Sequence, residues 1–185
     1  MAARKSIVEL EAQADATIED NTTGAISPAD VRAMFKDFLN AIRPAYGVIK
    51  QTGNPTQNLG LTPTKMLWNN ASDSDINQTI SSAANGSITR TERGTSTINV
   101  TLDVECASGR FITATLYKNG VATPWRITTV GAGNGNPVGM AMTAVDYADP
   151  EAYYEIFLSA EANNTATIVS NASMILSVDP VNSYT

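Results

Sequence analysis

The sequence contains no histidine and a single cysteine. The missing histidine removes the Ser–His–Asp and Cys–His nucleophilic devices, the side chain that ordinarily titrates near neutral pH, and every His-ligated zinc or iron site. With Cys106 alone, neither an intrachain disulfide nor a cysteine-rich metal site can form. Cys106 occupies an apolar position of an alternating pattern and reads as a small buried hydrophobe. Paired carboxylates are a His-free route to glycoside hydrolysis, and the candidates are Asp103, Glu105, Asp146, Glu151 and Glu155. Asp103 and Glu105 sit two apart in an alternating strand and form its outer, solubilising face. Asp73, Asp75 and Asn77 have the spacing of the first three ligands of a calcium loop. Gln78 and Ala84 stand where that loop requires Gly and Glu, so the segment reads as a solvated turn. Gly131-Ala132-Gly133-Asn134-Gly135 lacks the following helix and Lys that a phosphate loop needs, and reads as a flexible loop at the end of a sandwich. The expectation is a protein with no catalytic residues, no cofactor and no metal.

Composition points the same way. A chain of 185 residues with 43% hydrophobic content can bury a substantial core. Charged residues make up only 16%, while Thr, Asn and Ser together supply 52 of the 185 positions, a bias toward strand and turn. A net charge of −6 argues against nucleic acid and against a polybasic membrane contact. Residues 1–50 could be read as a helix-turn-helix, but they hold seven acidic and six basic side chains, a balance that will not neutralise phosphates. No apolar run is long enough to span a membrane. The start, Met-Ala-Ala-Arg-Lys-Ser-Ile, leads into Glu9, Glu11 and Asp15 rather than an apolar stretch, so no signal peptide is expected.

The elements that must position these side chains fall into three stretches. Residues 1–50 read as a helical anchor of two helices. The first starts at Ser6 with Glu9 three positions on, and Ile7, Leu10, Ala14 and Ile18 make its thin apolar stripe. The second opens with Ser27 as cap, Pro28 in its first position and Asp30 completing the box. Val31, Met34, Phe35, Phe38, Leu39 and Ile42 then form one broad apolar face, and Pro44 ends the helix. Residues 51–84, punctuated by Gly53, Pro55, Gly60 and Pro63, read as a connector. Residues 85–185 show period-two alternation in about eight short strands with turns every 8–12 residues. Asn119-Gly120 marks a hairpin, and Asn171 marks a turn. The expected class is mainly β, an antiparallel jelly-roll sandwich with a short N-terminal α-helical segment. The strand from Tyr153 to Leu158 is apolar on both faces. Tyr153, Glu155 and Phe157 form the face that should be polar, so something covers it: a subunit interface is the expected cover, and the N-terminal helices or a loop are the alternative.

Gly24-Ala25-Ile26-Ser27-Pro28-Ala29-Asp30-Val31-Arg32 with the helix after it resembles an N-terminal segment of tailed-phage virion proteins. Leu116 to Val121, Tyr153 to Ala160 and Ala172 to Val178 resemble the tumour-necrosis-factor-like and complement-type jelly rolls of phage capsid-decoration and fibre proteins. The resemblance implies a homotrimer on a virion, most directly a capsid decoration or cement protein. Its partners would be further copies of itself and the major capsid protein or another virion protein. A tail-fibre or adapter subunit, or a carbohydrate-binding host-recognition module, is the alternative; Trp68 and Trp125 are the only tryptophans such a module could use.

Overall fold

From Ala45 onward the alternation of apolar residues with Thr, Ser and Asn lays the chain into two antiparallel sheets packed face to face. The computed structural model describes residues 9, 12–13, 27–42, 45–53, 55–73, 79–91, 94–162 and 165–178. Among the described residues, helix α1 (Pro28–Ile42) precedes the strands β1 (Ala45–Thr52), β2 (Thr56–Leu59), β3 (Thr64–Lys65), β4 (Asn70–Asp73), β5 (Thr79–Ser82), β6 (Ser87–Arg90), β7 (Gly94–Cys106), β8 (Phe111–Lys118), β9 (Val121–Val130), β10 (Val138–Ala148), β11 (Tyr153–Ala160) and β12 (Thr165–Val178). Of the expected first helix, Glu9, Ala12 and Gln13 are described and are helical; its other residues lie outside the described set.

Sheet A runs β10-β7-β12-β1-β4, with β2 also on β12; sheet B runs β5-β6-β11-β8-β9, with β3 also on β11. Sheet A turns Ile49, Ile98, Val100, Leu102, Val104, Met174 and Leu176 inward, and sheet B turns Ile88, Ile112, Leu116, Tyr154, Ile156 and Leu158 against them. Each such side chain contributes about 1.5–3 kcal/mol by leaving water, which is why the period-two pattern decides the architecture.

Asn119-Gly120 forms the expected hairpin, with Lys118 opposite Val121 and positive φ at both central residues. Only residues tolerant of left-handed backbone suit that turn. Asn119 also accepts a hydrogen bond from the Tyr153 N–H at 2.9 Å and donates its own N–H to the Tyr153 carbonyl, locking the hairpin onto β11.

Two expectations require correction. The stretch 51–84 is not a connector: it supplies β2 to β5, and Met66 and Trp68 belong to the core. The sandwich begins at Ala45, so β1 lies inside the region expected to be anchor. These strands escape the alternation test because β2 to β5 have only two to four residues each. Some of their inward positions are also not apolar. Gln57 is buried, donates to the Lys65 carbonyl at 3.0 Å and accepts from the Leu67 N–H. At Gly47 any Cβ would come within 2.8 Å of Ile88. The second correction concerns Asn171, which is no turn. Residues 165–178 form one strand with a register shift between Val169 and Asn171. Inward positions are odd-numbered through Thr167 and Val169 and even-numbered from Ala172 on. A one-residue bulge flips the phase of the alternation and so looks like a strand end.

Candidate assembly interface

The acids do not converge. Asp103 and Glu105 lie on the outer face of sheet A, Glu151 sits in an exposed turn, Asp146 points between the sheets and Glu155 lies on the outer face of sheet B. Among the described residues no three His, Cys, Asp or Glu side chains come close enough to share a metal. Residues 74–78, which include Asp75 and Asn77, lie outside the described set, as does the Asp73 side chain. In the glycine segment, the Gly131 N–H donates to the Arg110 carbonyl at 2.8 Å, and the Gly131 carbonyl accepts from Gly109. Gly131 presses against Cys106, whose thiol is buried and pushed up in pKa by desolvation.

The three β11 residues are covered partly from within the chain. Glu155 is buried under an ion pair with Lys65 of β3, whose ammonium also donates to the Asn85 carbonyl. Phe157 stacks on Tyr117 of β8 with ring centroids 4.1 Å apart. Tyr153 is held through its backbone by Asn119. The pattern that demands a cover for this strand is therefore answered to a large extent by β3 and β8, which belong to the same sheet.

The outer face of sheet A is different. Its rows, read across β10, β7, β12 and β1, are Val145-Thr97-Ser177-Tyr46, then Thr143-Asn99-Ile175-Val48, then Ala141-Thr101-Ser173-Lys50. Tyr147 extends the first row's end beside Thr95. Tyr46, Val145 and Tyr147 are 50%, 56% and 57% exposed, whereas Ile175 is half-buried and Val48 buried. The hydroxyls between them pair sideways: Thr101 with Ser173 at 2.8 Å, and Thr143 donating to Asn99 at 2.8 Å. Polar groups satisfied within the face cost little to cover, and Lys50 is the only charge in these three rows. Sequence reading missed this face because its apolar members are scattered over three strands separated by the polar positions of β7, and only the register brings them together.

Helix α1 stands apart. The Asp30 N–H donates to the Ser27 hydroxyl oxygen at 3.3 Å and the Ser27 N–H donates to the Asp30 carboxylate at 2.9 Å, the reciprocal pair of a capping box; the Ser27 hydroxyl also donates to that carboxylate at 2.7 Å, and these bonds hold it below its ordinary pKa range. Val31 is exposed, Phe35 and Phe38 are 61% and 52% exposed, and Met34 is half-buried. The side chains of Leu39 and Ile42 lie outside the described set.

One buried polar cluster was not expected. Arg90 is fully buried and its guanidinium donates to the Gly94 carbonyl at 2.6 Å. Beside it the Tyr154 hydroxyl donates to Asp146 at 2.6 Å, and Lys118 pairs with the same carboxylate oxygen. The cluster ties β6, β8 and β11 of sheet B to β10 of sheet A. Arg90 shares the parity of Ile88, so the alternation places it inward; a charge at an inward position was the available signal. Burial first, and then the Asp146 carboxylate, push the Tyr154 phenol well above its ordinary value. A folded-state pKa above the unfolded one stabilises the protein below about pH 10 and progressively less above it, as the unfolded phenol ionises. The melting temperature should therefore fall more steeply above pH 10 in the native protein than in Tyr154→Phe; parallel curves would exclude this contribution.

No family model and no curated protein matches the sequence. Similar solved structures include murine APRIL, of the tumour-necrosis-factor family, at pH 5.0 and at pH 8.0. Each superposes with a TM-score of 0.53 at 6% identity; the matches cover 72% and 74% of this chain and 98% and 99% of the APRIL chains. At that identity the likeness is one of fold, and residues 45–178 form a jelly-roll sandwich of the tumour-necrosis-factor type.

Proposed function

We propose that this protein is a non-enzymatic structural subunit. Three copies associate through their jelly rolls, and the N-terminal segment attaches the trimer to a larger particle, as a decoration or cement protein on a phage head. The observation that carries this reading is the pairing of two surfaces with exposed apolar side chains on one chain: the Tyr46, Val145 and Tyr147 end of the outer face of sheet A, and helix α1 with Val31, Phe35 and Phe38. Three anchors on one trimer bind far more tightly than one, by effective concentration. The acids diverge, so no reaction class has its full set of roles. Neither tryptophan offers a sugar-stacking platform: Trp68 is buried and Trp125 packs against the core.

Density-gradient fractionation of a tagged chain co-expressed with the virion proteins encoded with it tests this reading. The chain should band with assembled heads, and Phe35→Ser combined with Phe38→Ser should leave it at the top of the gradient with its circular dichroism unchanged. Absence from every particle fraction, together with specific capture on a glycan array, would replace the structural role with a carbohydrate-binding one.

A further inference from the structure

Helix α1 ends only two residues, Arg43 and Pro44, before β1. Strand β1 then enters sheet A at the row of Tyr46, Ser177, Thr97 and Val145, the end of the face where the exposed Tyr46, Val145 and Tyr147 gather. If copies pack through that face, their α1 helices leave from the same end of the assembly.

The helix is patterned for such company. Val31, Phe35, Phe38 and Ile42 are spaced by four, three and four residues, the alternation of a heptad seam that faces other helices. Met34 and Leu39 flank the seam on either side and widen it. Asp30, Lys36, Asp37 and Arg43 fall at positions turned away from it. A seam this broad suits more than two helices, since a two-stranded contact would leave its flanks in water. The sandwich offers α1 no alternative: the helix has no substantial packing against any described strand, and Val31, Phe35 and Phe38 remain exposed. Two heptads are too short to associate unaided, but tethering to a trimeric sandwich raises their local concentration by orders of magnitude.

We propose that the apolar face of α1 packs on the same face of two further copies, forming a three-helix stalk beneath the jelly rolls. This deepens and rests on the self-association reading above. The helix is then the support of the anchor, and the residues before Ser27 are what the stalk presents to the larger particle.

Disulfide trapping in the full-length chain tests it, with Cys106→Ala removing the native thiol. Val31→Cys, in the seam, should form interchain disulfides under mild oxidation at least about tenfold faster than Lys36→Cys, on the outer side of the same helix. Sedimentation of the reduced proteins reports the oligomeric state alongside. A trimer in which both variants cross-link equally slowly would overturn the stalk and leave the self-association reading standing. A monomer at micromolar concentration would overturn both.

Discussion

Val145→Asp should convert the proposed trimer into folded monomers, whereas Phe157→Asp should leave it assembled but less stable. Val145 is more than half exposed on the outer face of sheet A, in the row that also holds Tyr46. If that face is the contact between copies, the substitution buries a carboxylate in each one with no cation nearby in its row. An unpaired ion removed from water costs several kcal/mol, and a trimer incurs that cost three times. Within a monomer the position faces solvent, so the fold should survive. Phe157 is already half-covered by its stack on Tyr117. Losing that stack costs about 0.5–1.5 kcal/mol beyond lost burial and acts within the chain. Sedimentation velocity at micromolar concentration, paired with thermal unfolding, separates the two faces. Dissociation by Phe157→Asp, with Val145→Asp still trimeric, would return the contact to Tyr153, Glu155 and Phe157, where the sequence pattern alone puts it.

The contrast between these faces shows what one chain's sequence discloses. Alternation in β7, β8 and β11 is long enough to fix which side chains face inward, and the Asn119-Gly120 hairpin is legible because few residues tolerate its backbone. The capping box at Ser27 and Asp30 is legible for the same local reason. Features that depend on registers between distant strands are not. The sheet A face combines Tyr46 and Val48 of β1, Ile175 of β12 and Val145 and Tyr147 of β10, with Thr97 and Asn99 of β7 between them, and only the registers set them side by side. Lys65 covers Glu155 across 90 residues of sequence, so a strand with two apolar faces looks uncovered until β3 is placed. The short strands β2 to β5 carry too few inward positions to stand out against the glycines and prolines around them.

The largest effect expected on folding comes from moving a truncation by eight residues. A chain beginning at Ala45 should fold as a cooperative β-protein, while a chain beginning at Gly53 should not fold. Among the described residues, none before Ala45 contributes a strand to the sandwich, and α1 has no substantial packing on the described strands. Its removal should shift the melting temperature of a reduced-concentration, dissociated sample by no more than about 4 °C, which corresponds to about 1 kcal/mol for a chain of this size. Strand β1 is in the opposite situation. It lies between β12 and β4, pairing with β12 over its whole length from Ala45 to Thr52 and with β4 from Gly47 to Lys50. Deleting it strips β4 of the strand it pairs with among the described residues and exposes the edge of β12 along which β1 lies. It also removes Ile49, which is fully buried, from the centre of the core. Replacing one such side chain by alanine typically costs 2–5 kcal/mol, and here the backbone pairing is lost as well, against a total stability of about 5–15 kcal/mol. Circular dichroism and thermal unfolding of the two truncated chains are the measurements. If the chain from Ala45 folds but no longer bands with particles, the N-terminal segment carries attachment and the jelly roll does not need it. If that chain instead fails to fold, α1 is part of the core, and its exposed phenylalanines cease to be evidence of either an anchor or a stalk.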